Sequence, residues 1–119
     1  MATFITNSVH GQIKIKGEQP NFHGDEILDM SVRDTLRYDA ECIVLGSTNI
    51  LLNKGQQMPI KYQCFYDPNK AHMKFEQIKS IPGGITLSAS IERNGQLLYA
   101  NNTDLPLAKE VNIELVKIE

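Results

Sequence analysis

The side chains best suited to chemistry in this chain are three histidines, His10, His23 and His72, two cysteines, Cys42 and Cys64, and the adjacent carboxylates Asp25 and Glu26. A zinc site needs donors that converge, which sequences announce by paired spacing such as HExxH or repeated Cys-x-x-Cys. The histidines here are scattered and the cysteines lie far apart, so no metal site is expected. A phosphate-cradling loop needs glycines that lead into a helix, whereas Pro82-Gly83-Gly84 leads into an alternating segment that reads as a strand. No G-x-S-x-G elbow is present to activate a serine. Asp25 and Glu26 stand in loop-like sequence among other acids, where solvation accounts for them. The residues therefore predict neither catalysis nor a cofactor.

The cysteines leave two readings open. If residues 49–55 make a tight reversal centred near Asn53, Cys42 lies opposite Cys64, and a disulfide could form provided their Cα atoms come within about 7 Å. Two buried free thiols fit the sequence equally well, since cysteine is among the most buried residue types. A bridge would imply an oxidising compartment.

The elements that must position these groups are strands. Ser8–Lys16 alternates Val9, Gly11, Ile13 and Ile15 with His10, Gln12, Lys14 and Lys16, the period of a half-buried strand. A loop rich in Gly, Pro and Asn follows, then a second alternating strand over Ile27–Asp34. Glu41–Thr48 contains the continuously apolar run CIVL, which predicts a strand covered on both sides. In the strand that ends at Tyr66, Met58, Ile60, Tyr62, Cys64 and Tyr66 share a face; Pro59 cannot donate to a ladder, so this strand starts late or runs along an edge.

The later half of the chain is punctuated more sharply. Asn69–Ile81 departs from strand character, and Ala71, Phe75 and Ile78 at helical spacing predict a short helix inside a 69–81 insert. Ile85–Arg93 and Gln96–Thr103 flank Asn94-Gly95, the pair that a type I′ hairpin turn favours because both positions need positive φ. Read literally, that turn pairs Ile91 with Leu98 and Ala89 with Ala100, leaving Leu97 and Tyr99 on a mixed face that is either covered by other structure or open to a partner. Val111–Ile118 is the last strand. The expectation is a single all-β domain over 1–119, an antiparallel β-sandwich of about seven strands, with an open barrel as the alternative.

Composition bounds the partners. The chain has 119 residues, 12 basic and 14 acidic, with a sequence pI near 5.9, and so presents no overall footprint for a nucleic-acid backbone. Residues 18–41 are acidic, while 54–79 carry Lys54, Lys61, Lys70, Lys74 and Lys79 against only Asp67 and Glu76. Two solvated faces of opposite sign, or a field that steers a charged partner, would both produce this split. No apolar run reaches the length of a membrane span, and no basic-then-apolar leader precedes Thr3.

Taken in order, VHGQIKI, ILDMSVRDT, KGQQMPIKYQCFYDP and ITLSASIERNGQLLYANNTDLPL resemble the YbaY/YscW family of small lipoproteins, which includes the secretin pilotins of type III secretion systems. The resemblance spans about Val9 to Leu107. Gly55-Gln56-Gln57 with Pro59, Tyr66-Asp67-Pro68 and the stretch 91–99 are its most specific parts. It implies a β-sandwich held by an N-terminal lipid at the periplasmic face of the bacterial outer membrane, with residues 1–7 a flexible tail after a removed lipid-anchor region. In the pilotin branch it implies binding of the secretin C-terminal segment, escort to the outer membrane and assistance in ring assembly. A general periplasmic YbaY-like lipoprotein without a secretin partner is the alternative. The lipidated cysteine is absent from the chain, and 69–82 exceeds the family's usual connection. The surfaces expected to take up such a tail are Leu97 and Tyr99 on the hairpin and Phe75, Ile78 and Ile81 on the insert.

Overall fold

The computed structural model describes residues 7–18, 20–35, 43–101 and 105–118. Its strands are β1 (Asn7–Ile15), β2 (Glu26–Asp34), β3 (Ile43–Leu51), β4 (Ile60–Tyr66), β5 (Ile85–Arg93), β6 (Gln96–Ala100), β7 (Leu105–Pro106) and β8 (Ile113–Lys117). One helix, α1 (Phe75–Lys79), and a single 3-10 turn, Pro68–Lys70, lie between β4 and β5. The short helix expected in the insert is therefore present, with Ile78 fully buried and Ala71 and Phe75 packed partly against the core.

The strands form one sheet in the order β3-β2-β5-β6-β8-β1-β4, with β7 against the other end of β5. The sheet curls until its two ends nearly meet, so the expected sandwich of two stacked sheets is corrected to an almost closed barrel. All neighbouring pairs are antiparallel except β1 with β8. β8 divides its length: Ile113 and Leu115 pair with Ile13 and Ile15 of β1, while Val116 and Lys117 pair with Ala100 and Tyr99 of β6.

Period-two alternation fills the interior. Leu28, Met30 and Val32 of β2 and Leu87, Ala89 and Ile91 of β5 point inward beside Ile60, Tyr62 and Cys64 of β4, each almost without exposure. The face predicted for β4 is correct, and the strand starts after Pro59, as a residue without a ladder donor requires. The connections contribute Phe22, Leu52 and Ile78, which plug the barrel. Burial of each such side chain contributes roughly 1.5–3 kcal/mol.

Two strand-level expectations are corrected. β3 is an end strand rather than one covered on both sides: Val44 is 44% and Leu51 65% exposed. The run instead contains a bulge: the β2–β3 register passes from Val32↔Gly46 to Arg33↔Val44 and leaves Leu45 out of the ladder. The hairpin at Asn94-Gly95 has positive φ at both residues, as expected. Its pairing begins with Glu92↔Leu97, but the expected Ile91–Leu98 and Ala89–Ala100 pairs give way to Ile91↔Tyr99 and Ser90↔Ala100. Leu98 is the extra residue, and the shift turns Tyr99 toward the core.

The seam between β3 and β4 is pinched at one end. There the Asp67 amide donates to the bulged Leu45 carbonyl at 2.9 Å. Gly46 permits this approach, since a Cβ at that position would stand 2.0 Å from the Phe65 carbonyl oxygen. Gly46→Ala is expected to push the seam apart and destabilise the fold by about 1–3 kcal/mol. Urea unfolding should show a lower midpoint at unchanged slope; an unchanged midpoint would count against the pinch.

Candidate functional site

Phe22 and Glu26 anchor the loop that precedes β2. Both are buried, although Phe22 stands between Asn21 and His23 and Glu26 follows Asp25. The loop turns at Gly24, whose φ of +104° suits glycine, and this aims three successive amides at one point. The amides of His23, Gly24 and Asp25 all donate to the Glu26 carboxylate, at 2.9–3.2 Å. Arg93, at the end of β5, closes the cluster: Nη2 donates to Glu26 Oε2, and Nε donates to Asp25 Oδ1 at 3.1 Å.

Burial alone would raise the Glu26 pKa, but the His23 amide, the Arg93 guanidinium and the Gly24 amide outweigh it and hold the group down at about 2. Glu26 in turn holds the Arg93 pKa up. Glu26 is thus no solvated loop acid, as the sequence suggested, but the ionised centre of a closed network. His23, Asp25 and Glu26 do bring ligand atoms within 4.8 Å of one another. The Glu26 oxygens are already shared among three amides and a guanidinium, so the arrangement serves an arginine rather than a metal ion.

Beside this network lies a groove of about 420 Å³. Phe22, Leu97, Leu98, Tyr99 and Ile118 supply its apolar lining, and Arg93 and Lys117 reach it from the sides. Tyr99 stands edge-on to Phe22 with ring centroids 6.3 Å apart, while Leu97 and Ile118 are 44% and 40% exposed. The structure thus separates the two hairpin candidates: Leu97 offers open apolar surface and Tyr99 forms the wall behind it.

The insert candidates lie elsewhere. Ile78 is core, so the structure places it where no partner reaches, and Phe75 is half-covered against Tyr66 at a centroid distance of 5.8 Å. Ile81 is 38% exposed. Phe75 lines a different cavity, with Met73 and Lys74, and none of the insert residues borders the Leu97 groove. Sequence reasoning missed Phe22, Arg93 and Ile118 as companions of Leu97; the in-phase position of Glu26 ahead of Leu28, Met30 and Val32 was the available signal.

The remaining reactive groups are structural. His72 donates its backbone amide to Asp34 Oδ2 at 3.0 Å, and its Nδ1 lies against the same oxygen, tying the insert to the end of β2. Cys64 is a fully buried free thiol opposite Val9, and burial pushes its pKa up, which disfavours the reactive thiolate. The hairpin expected to set Cys42 against Cys64 is not formed, because β3 pairs with β2 and β4 with β1; Cys42 itself lies outside the described residues. Tyr62 donates its hydroxyl to the Val111 carbonyl at 2.5 Å, and burial, with Cys64 and Glu110 nearby, pushes its pKa up to about 12. Tyr62 also lines a cleft of about 760 Å³, where the seam opens between Ile50 of β3 and residues 61–63 of β4.

Glu26→Gln would keep the shape but set an amide NH2 among donors. We expect a loss of about 3 kcal/mol, the scale for stripping one partner from a buried pair. Because the Glu26 pKa is depressed from 4.5 to about 2, its contribution is fully present above pH 4.5 and disappears as pH falls toward 2. Chemical denaturation across that window should show a drop in stability for the parent chain that the variant lacks. Parallel curves would overturn the assignment.

No protein-family model and no curated protein matches the sequence. Among solved structures, the fold is similar to that of an alternative pilotin from the type II secretion system of Vibrio cholerae, with a TM-score of 0.76 and 20% identity over 97% of this chain and 99% of that one. A 9R-lipoxygenase from Cyanothece PCC8801 overlaps at a TM-score of 0.44 and 14% identity, with 92% of this chain on 16% of that one, and carries no argument. The chain therefore shares the all-β fold of a type II pilotin, and the YbaY/YscW resemblance finds no matching family model.

Proposed function

We propose that this protein is a secretin pilotin: a binding protein, not an enzyme, that takes up the C-terminal segment of a secretin and assists its delivery to the outer membrane and its assembly into a ring. The observation that carries this reading is the near end-to-end likeness to the Vibrio cholerae pilotin, which covers 97% of this chain and 99% of that one. The sequence resemblance points the same way, although it drew on the type III branch and the fold likeness is to a type II protein. A pilotin is the element common to both. The periplasmic face of the outer membrane, with attachment through an N-terminal lipid, belongs to the same proposal.

The groove beside Arg93 is the surface we assign to the secretin segment. An amphipathic helix or strand needs an apolar lining to bury its own apolar side and charged groups at the margin to fix its register. Leu97, Leu98 and Ile118 supply the first, and Lys117 the second. Phe75 and Ile81 on the insert remain a separate surface for the same partner. A YbaY-like lipoprotein without a secretin partner is the competing reading.

Titration of secretin C-terminal peptides from type II and type III systems against the whole chain tests the assignment. Saturable binding of one class is expected, and Leu97→Asp should weaken it by about tenfold or more, the scale of losing one anchor in an apolar pocket. Phe75→Asp separates the insert from the groove. Binding that survives both substitutions would displace the site, and no binding to either peptide class would favour the competing reading.

A further inference from the structure

The end of the barrel that carries the insert differs in charge from the rest of the molecule. Asn7, where β1 begins, pairs with Tyr66 at the exit of β4. Lys74 borders one cavity beside Asn7, and Lys79 and Lys109 border another. Lys70 ends the 3-10 turn of the same insert. All four lysines are exposed. Among the described residues 67–81, the exposed carboxylates are Asp67 and Glu76, and Asp67 already accepts the Asn69 amide at 2.9 Å. Asp34 is buried beneath His72, and Glu110 lies 3.7 Å from His10 Nε2. A concentration of lysines therefore stands on a chain whose formal net charge is −2. Met73, 44% exposed, and Ile81, 38% exposed, lie on either side of α1 among these lysines.

We propose that this end of the barrel rests on an anionic lipid surface. Charge complementarity selects the partner's sign: lysines within a Debye length of acidic headgroups are attracted, while the acidic remainder of the chain is repelled, so the field orients the molecule insert-down. The apolar pattern selects a lipid over an acidic protein. Met73 and Ile81 are isolated side chains set among lysines rather than a contiguous floor, and a fluid headgroup layer accepts such separate insertions while lysine stems lie along the boundary with their ammonium groups in water. The proposal shares Ile81 with the insert surface offered above to the secretin segment but leaves the Leu97 groove free, since no insert residue borders that groove.

Flotation of the whole chain with phosphatidylglycerol/phosphatidylcholine vesicles, against pure phosphatidylcholine, tests this. Recovery with the anionic vesicles alone, declining as salt rises, is expected. Lys74→Glu with Lys79→Glu should reduce the apparent affinity by about tenfold or more. Lys14→Glu with Lys16→Glu, at the other end of β1, should leave it nearly unchanged. Met73→Ser with Ile81→Ser should remove the portion of binding that persists at raised salt. Equal recovery on neutral vesicles, equal loss from both charge reversals, or retention of soluble polyglutamate without vesicle binding would each overturn the proposal, the last by assigning this end to an acidic protein. Because every substituted side chain is exposed, circular dichroism should be unaltered in all variants, and binding losses then report on the surface.

Discussion

One buried carboxylate organises the barrel. Glu26 opens β2, and β2 is the strand against which β3 and β5 both pair along most of their length. A charge without exposure is costly unless every lone pair is answered. Here the answer comes from three loop amides and from Arg93, which lies directly across the ladder from Glu26. The same bonds that neutralise the charge also fix the loop that carries Phe22, and Phe22 sets the position of Tyr99. The apolar groove is thus downstream of an electrostatic constraint.

Much of the fold was legible because alternation is a direct consequence of strand geometry. The inward faces of β1, β2, β4 and β5 follow from period two, and the turn at Asn94-Gly95 follows from positive φ. What escaped was closure. Whether strands stack as two sheets or curl as one depends on long-range pairing, such as Ile13 with Ile113, which leaves no local trace. The two bulges escaped for a related reason: nothing in CIVL or QLLYA marks Leu45 or Leu98 as the residue skipped by the ladder register, yet each bulge decides which neighbours face inward.

The candidate site was legible only in part. The exposure of Leu97 was legible because the hairpin turn is recognisable and an outward leucine next to it is conspicuous. Tyr99 was assigned to the same face, and the Leu98 bulge reverses that. Ile78 was read as surface although helical spacing with Ala71 and Phe75 equally describes a buried stripe. Glu26 was misread through its neighbours: adjacency to Asp25 suggested solvent, whereas its phase with Leu28 placed it inside. Phase along a strand was a better guide than local composition.

The divided pairing of β8 bears on how the chain reaches its native state. With five residues it bridges β1, near the start of the chain, to β6. Until it docks, β4-β1 and β3-β2-β5-β6 are two ladders with nothing between them in the sheet order. Each ladder can zip from contacts nearer in sequence than the clasp that unites them, and such distant contacts are the slow ones to form. β8, which follows in sequence all the strands it unites, is therefore the one that makes the barrel a barrel, and the two ladders share no sheet partner until it docks.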